Sequence, residues 1–220
     1  MKSFVCRCEQ VVAIVRKDFV VSLRRRAALA AMMMFALTAT AALSLSTSGV
    51  VEPKILSALL WVIIFFAAGA GVAGTFDDEA QAGTLPTLKL YADAQAVLFG
   101  KMIHVLASLI SLTVFIVPTF LILFDADVAD GLLMVATLLL GLIGLSAAGT
   151  LTAALTTSAV AKGGLFPILL FPVTLPIFLP AISLTEAALT GAAFDGGSLV
   201  MMMMFDAMLV TAASILYDYL

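Results

Sequence analysis

A chain of 220 residues that is 63% apolar and 11% charged, with a mean hydropathy of +1.20, lies far outside the range of soluble domains and belongs in a membrane. The net charge of −3 decides little, because in a membrane protein the placement of the lysines and arginines carries the information. A single histidine excludes a multi-histidine metal site or a two-histidine protease motif within this chain.

At the start, Phe4, Cys8, Val11, Val12, Val15, Phe19 and Leu23 recur at helical spacing, with Arg7, Gln10 and Lys17 in another sector. That pattern predicts an amphipathic helix over residues 1–26, lying in the cytoplasmic interface with its basic residues near anionic head groups. The first apolar run begins only after Arg26, too deep and too long for a signal peptide. A hydrocarbon core of about 30 Å takes roughly 20 helical residues. Six segments meet that length: Ala27 to Leu45, Ile55 to Gly74, Met102 to Phe124, Leu132 to Leu155, Leu165 to Leu184 and Leu199 to Tyr217. They are continuously apolar and do not alternate, so the expected fold is an all-α integral membrane protein with six transmembrane helices over 27–220, and not a barrel.

With the N-terminus inside, ten of the eleven lysines and arginines fall on the cytoplasmic side, and only Lys54 lies outside. The opposite face carries Glu52, Asp125, Asp127, Asp130, Glu186 and Asp195. This bias predicts that both termini are cytoplasmic. The longest polar stretch, about 75–100, then also faces the cytoplasm and holds Asp77, Asp78 and Glu79. It is either a solvated connection or a docking element, and Thr84, Leu85, Leu88, Leu90 and Tyr91 are compatible with a short amphipathic helix.

Chemistry-bearing residues are few. Gly100-Lys101 is followed by Met102, and Gln95 stands where a phosphate-binding loop needs its first glycine, so any ATP used is bound by another chain. Cys6 and Cys8 lie on a reducing side and on different helix faces, which disfavours a disulfide. His104, one turn inside the third span, reads as a hydrated interfacial imidazole, with a haem ligand or proton relay as the functional alternative. Asp206, seven residues into the last span, reads as a hydrogen-bonded helix contact or as a polar contact that shifts during transport. The methionine runs at 32–34 and 201–204 point all round their helices and suit flexible packing.

Close helix contacts are expected at the small-residue pairs Ala67 and Gly71, Ala70 and Gly74, and along Gly141, Gly144, Ala148, Gly149 and Ala153. Pro172, Pro176 and Pro180 share one face of the fifth span and predict a kinked or locally unwound helix.

The stretches FDDEAQAGTLPTLKL, LLLGLIGLSAAGTLTAAL and AKGGLFPILLFPVTLPIFLP, together with the length and topology, resemble the CcmB family, permease subunits of bacterial cytochrome c maturation, over essentially the whole chain. The resemblance implies an ABC-2-like exporter permease of the inner membrane. Such a subunit is non-catalytic, works with a separate ATPase, CcmA, and with the membrane proteins CcmC and CcmD, and serves release of the haem-loaded chaperone CcmE or export of haem. It also implies that ATP is bound by the partner, that haem is handled by the complex, and that this chain binds no cofactor or metal. A six-span chain has the size of one half of such a machine, which allows a homodimer within the complex. By the same resemblance, Phe76, Asp77, Asp78, Glu79, Gly83, Leu85 and Leu88 are candidate ATPase-coupling residues, and Lys162, Gly163 and Gly164 a second contact. The alternative within this architecture is an ABC-2-type exporter permease for a lipid or drug.

Overall fold

The computed structural model describes residues 2–25, 27–47, 51–76, 79, 83–84, 92–157 and 162–217. The elements described are all α-helices: α1 (Lys2–Arg25), α2 (Ala27–Ser46), α3 (Pro53–Val72), α4 (Ala94–Phe124), α5 (Gly131–Thr157), α6 (Lys162–Thr190) and α7 (Gly196–Tyr217). The last six are each long and apolar enough to cross a membrane. Successive spans run up and down, so the starts of α2, α4 and α6 share one end with α1. That end carries most of the basic residues and is called the basic end below.

Helix starts follow their capping chemistry. The carboxylates of Asp93, Asp130 and Asp195 accept from the backbone N–H groups of Gln95 at 3.2 Å, Leu133 at 3.0 Å and Gly197 at 3.0 Å, at the N-termini of α4, α5 and α7. Each satisfies an orphan donor and places negative charge at the positive end of a helix dipole. At the other end of α6, Gly191 takes a φ of +69°, a left-handed turn that glycine adopts without strain.

The core is centred on α5, whose glycines admit neighbours at backbone distance. Gly141 lies under the indole of Trp61, Gly144 against Ile177 and Asp206, and Gly149 against Val72, so a Cβ at the first two would collide outright. Trp61 is 1% exposed, and its Nε1 donates to Thr185 Oγ1 at 3.0 Å, which satisfies the one polar atom of a large buried ring. Phe65 and Phe178 meet edge to face at 5.5 Å beside it and close the contact between α3 and α6. By contrast α2 is an outer helix, with only Met32, Ala36 and Thr40 buried among its described residues.

Three expectations change. α4 begins at Ala94, eight residues before Met102, because Lys101, which interrupts the apolar run in the sequence, is itself buried and paired. α6 remains one helix through Pro167, Pro172, Pro176 and Pro180, so of the two expected outcomes, a kink or local unwinding, unwinding does not occur. Proline's fixed φ suits a helix, each ring deletes only one backbone bond, and packing of the helix on α3 and α5 outweighs those losses. Of the two small-residue pairs in α3, Ala67 is buried and Gly71 lies against Met32, whereas Ala70 and Gly74 are exposed.

α1 runs alongside α4. Gln10 Oε1 accepts from the Asp93 N–H at 3.3 Å, Ile14 packs on Gly100, and Ser22 Oγ lies 3.0 Å from His104 Nε2. α2 continues in the same direction, with Ser44 Oγ donating to the carbonyl of Leu123 at 2.7 Å near the far end. The buried face of α1 centres on Ile14 and Asp18, flanked by Gln10 and Lys17, while the apolar stripe Val12, Phe19 and Leu23 is exposed. Val11 and Val15 of the expected apolar stripe are half-buried, as Gln10 is, and Lys17 is exposed, so the packed face draws on both expected sectors.

Candidate functional site

Where α1, the segment after α3 and the start of α4 meet, four charges are brought together. Lys101 Nζ, whose side chain is 3% exposed, donates to Glu79 Oε1 at 2.6 Å and to the carbonyl of Thr75 at 2.9 Å, and lies 3.2 Å from Asp18 Oδ2. Lys17 Nζ bridges Asp18 Oδ1 at 3.0 Å and Glu79 Oε1 at 2.5 Å. Two cations and two anions cancel, which is the condition under which such groups tolerate burial. The ring of Phe76 stands 5.4 Å from Lys101 Nζ and packs on Tyr217 at 6.1 Å, tying the same point to the end of α7.

Electrostatics hold Glu79 and Lys17 in their charged forms. Burial disfavours the charge on Glu79, but the Lys101 ammonium and the hydrogen bonds from Lys101 and Lys17 outweigh it, leaving the carboxyl below its ordinary 4.5. Burial likewise works against the charge on Lys17, yet its hydrogen bonds to Glu79 and Asp18 outweigh that and raise it above 10.5.

Beside the cluster lies a cavity of about 460 Å³, lined by the polar Lys17, Asp18, Glu79 and His104 and by the apolar Leu29, Met32, Val72 and Val105. His104 sits in it against the edge of Phe19, ring centroids 5.3 Å apart, ten residues inside α4. It is half-buried and bonded to Ser22.

The residues expected from the sequence divide clearly. Phe76 and Glu79 are buried in the cluster; Gly83 is exposed in a turn with a φ of +67°, beside Thr84, whose N–H donates to the carbonyl of Glu79 at 3.0 Å. Asp77, Asp78, Leu85 and Leu88 lie outside the described residues. Lys162, Gly163 and Gly164 form the first turn of α6. Asp206, expected to make a hydrogen bond to a neighbouring helix or a polar contact that shifts, is buried at the middle of α7, faces Gly144, and has no hydrogen-bond partner among the described residues. Among the described residues no group of three histidines, cysteines or acids is placed to hold a metal.

Sequence reasoning overlooked Asp18 and the pairing roles of Lys17 and Lys101. The signal lies in matched polar rungs, since Asp18 and Ser22 are one turn apart on α1, and Lys101 and His104 one turn apart on α4.

The family model for CcmB protein matches residues 9–216. This chain belongs to the CcmB family. No curated protein matches it. As a CcmB protein it is a multi-pass membrane permease subunit of the cytochrome c maturation system, an ABC-type system with an ATPase partner. The match takes in α1 from Glu9 on and all six spans, so the charge cluster lies wholly within the CcmB region.

Proposed function

We propose that this CcmB protein converts ATP hydrolysis by a separate CcmA subunit into rearrangement of its own helix bundle. The basic end faces the cytoplasm and both termini lie on the cytoplasmic side of the inner membrane, on the strength of the ten-to-one bias of basic residues. The segment after α3 is the ATPase-coupling element, with Phe76 and Glu79 as its buried anchors and Asp77, Asp78, Gly83, Leu85 and Leu88 as its further coupling residues; the first turn of α6, Lys162 to Gly164, is the second contact. CcmC and CcmD complete the membrane assembly, two copies of this chain supply its two halves, and the output is release of the haem-loaded chaperone CcmE. This chain binds neither ATP nor haem itself. The exposed stripe of α1 rests against lipid head groups.

One observation carries the reading. Glu79 belongs to the coupling segment, yet it is ion-paired with Lys17 of α1 and Lys101 of α4, so a displacement of that segment must move two other elements or break a buried network. The test is Glu79→Gln, which keeps the shape and removes the charge. Expected is a chain that still inserts and co-purifies with the ATPase, while cytochrome c maturation in cells falls at least about tenfold. Wild-type maturation with an unchanged complex would remove Glu79 from the coupling path.

A further inference from the structure

The cavity beside the charge cluster is amphipathic by construction. Its lining combines the polar Lys17, Asp18, Glu79 and His104 with the apolar Leu29, Met32, Val72 and Val105 from the ends of three spans. Lys17, Ala27 and Thr84, three of its lining residues, are exposed, so it opens beside the first turn of α2, a helix whose outer surface meets lipid. A volume of about 460 Å³ falls within the range of ordinary ligand pockets, roughly 300 to 1,000 Å³.

Besides Asp18 Oδ2, which faces Lys101, two buried polar atoms of this lining have no partner among the described residues, and His104 Nδ1 is an acceptor in the tautomer whose Nε2–H donates to Ser22. Glu79 Oε2 is buried on a side chain only 9% exposed and accepts nothing, because Lys101 and Lys17 both use Oε1. His104 Nδ1 is buried and equally unpaired, its other nitrogen being taken by Ser22. An unmet carboxylate oxygen asks for a donor, best a cationic one. At the mouth, Lys17 is 43% exposed and still offers charge to an anion. Since the four fixed charges sum to zero, neither a simple anion nor a simple cation is favoured by the field as a whole. A ligand with an ammonium next to a phosphate places each charge against its opposite, and an acyl chain suits the apolar wall.

We propose that this cavity binds the head group of an aminophospholipid of the phosphoethanolamine type, ammonium toward Glu79 and His104, phosphate toward Lys17, and acyl chain along Leu29 and Met32. The site senses the lipid at the point where the coupling segment is anchored. It stands independently of which substrate the assembly serves.

The test uses the full-length protein in nanodiscs of equal parts phosphatidylethanolamine, phosphatidylcholine and phosphatidylglycerol, with retained lipid read by native mass spectrometry. The expected result is one phosphatidylethanolamine per chain, retained at least about tenfold over the other two. Phosphatidylcholine has no N–H to donate, so equal retention of it would overturn the assignment, as would preference for the anionic lipid. Displacement of the lipid by an equal concentration of soluble phosphoethanolamine would overturn the acyl-chain part. Ser108→Phe fills the cavity without touching the charges, because the serine hydroxyl donates only to the carbonyl of His104 in its own helix at 3.0 Å. It should abolish the preference, and undiminished phosphatidylethanolamine retention in a folded Ser108→Phe protein would contradict the site. Should that variant fail to fold, the head-group ranking in the wild type decides.

Discussion

Lys101 and Lys17 contact the same two carboxylates but sit in different solvents, and that difference sets what each is worth. Lys101 is almost fully buried, so Lys101→Met strands Asp18 and Glu79 without their main counter-charge and is expected to cost about 3–5 kcal/mol. Lys17 is 43% exposed and water screens its pairs, so Lys17→Met should cost about 1 kcal/mol or less. Thermal unfolding of the two variants in one detergent checks the ranking, and equal losses would contradict it. The pH dependence follows with opposite signs. Glu79 is depressed below 4.5, so its contribution is present above that value and is lost as pH falls through its folded pKa. Lys17 is raised above 10.5, so its contribution is present below that value and is lost as pH climbs past its folded pKa. From these two groups a flat stability plateau is expected between about pH 5 and 9.

At the scale of elements, the six spans were legible because a membrane demands long apolar runs, and Gly141, Gly144 and Gly149 marked close helix contacts that the structure shows. What the sequence hid depends on tertiary pairing. Lys101 reads as the end of a span, yet a lysine met by Asp18, Glu79 and the Thr75 carbonyl can stay inside a helix. The face of α1 misleads for the same reason, because Asp18 is buried only by virtue of its partner Lys101 on α4. The proline row of α6 shows local propensity yielding to packing. These contacts yield a paired prediction on glycines. Gly141→Ala drives a methyl into the rigid Trp61 ring and should destabilise by about 1–3 kcal/mol or more, whereas Gly69→Ala meets nothing within 4 Å and should be neutral or stabilising by about 0.5–1 kcal/mol. Unfolding curves that placed both variants together would show that α3 and α5 do not approach as described.

For the molecule as a whole, the ends of the bundle differ in charge and in architecture. The acidic end is closed by short capped turns, where the N–H groups of Ala129 and Asp130 donate to the carbonyl of Ala188 at 3.0 and 2.9 Å, while the basic end carries α1, the charge cluster and the cavity. Placing the basic end in the cytoplasm predicts that single cysteines at Asp127 and Asp195 react with a membrane-impermeant thiol reagent in intact cells, and that one at Gly83 does not. Labelling at Gly83 would reverse the orientation. The proposed coupling itself is tested most directly in the purified ATPase-containing complex, by counting ATP molecules hydrolysed per haem-loaded chaperone released, in wild type and Glu79→Gln side by side. If Glu79 links the ATPase contact to α1 and α4, hydrolysis continues in the variant and the ratio rises at least about tenfold. An unchanged ratio, with both rates intact, would contradict transmission through this cluster.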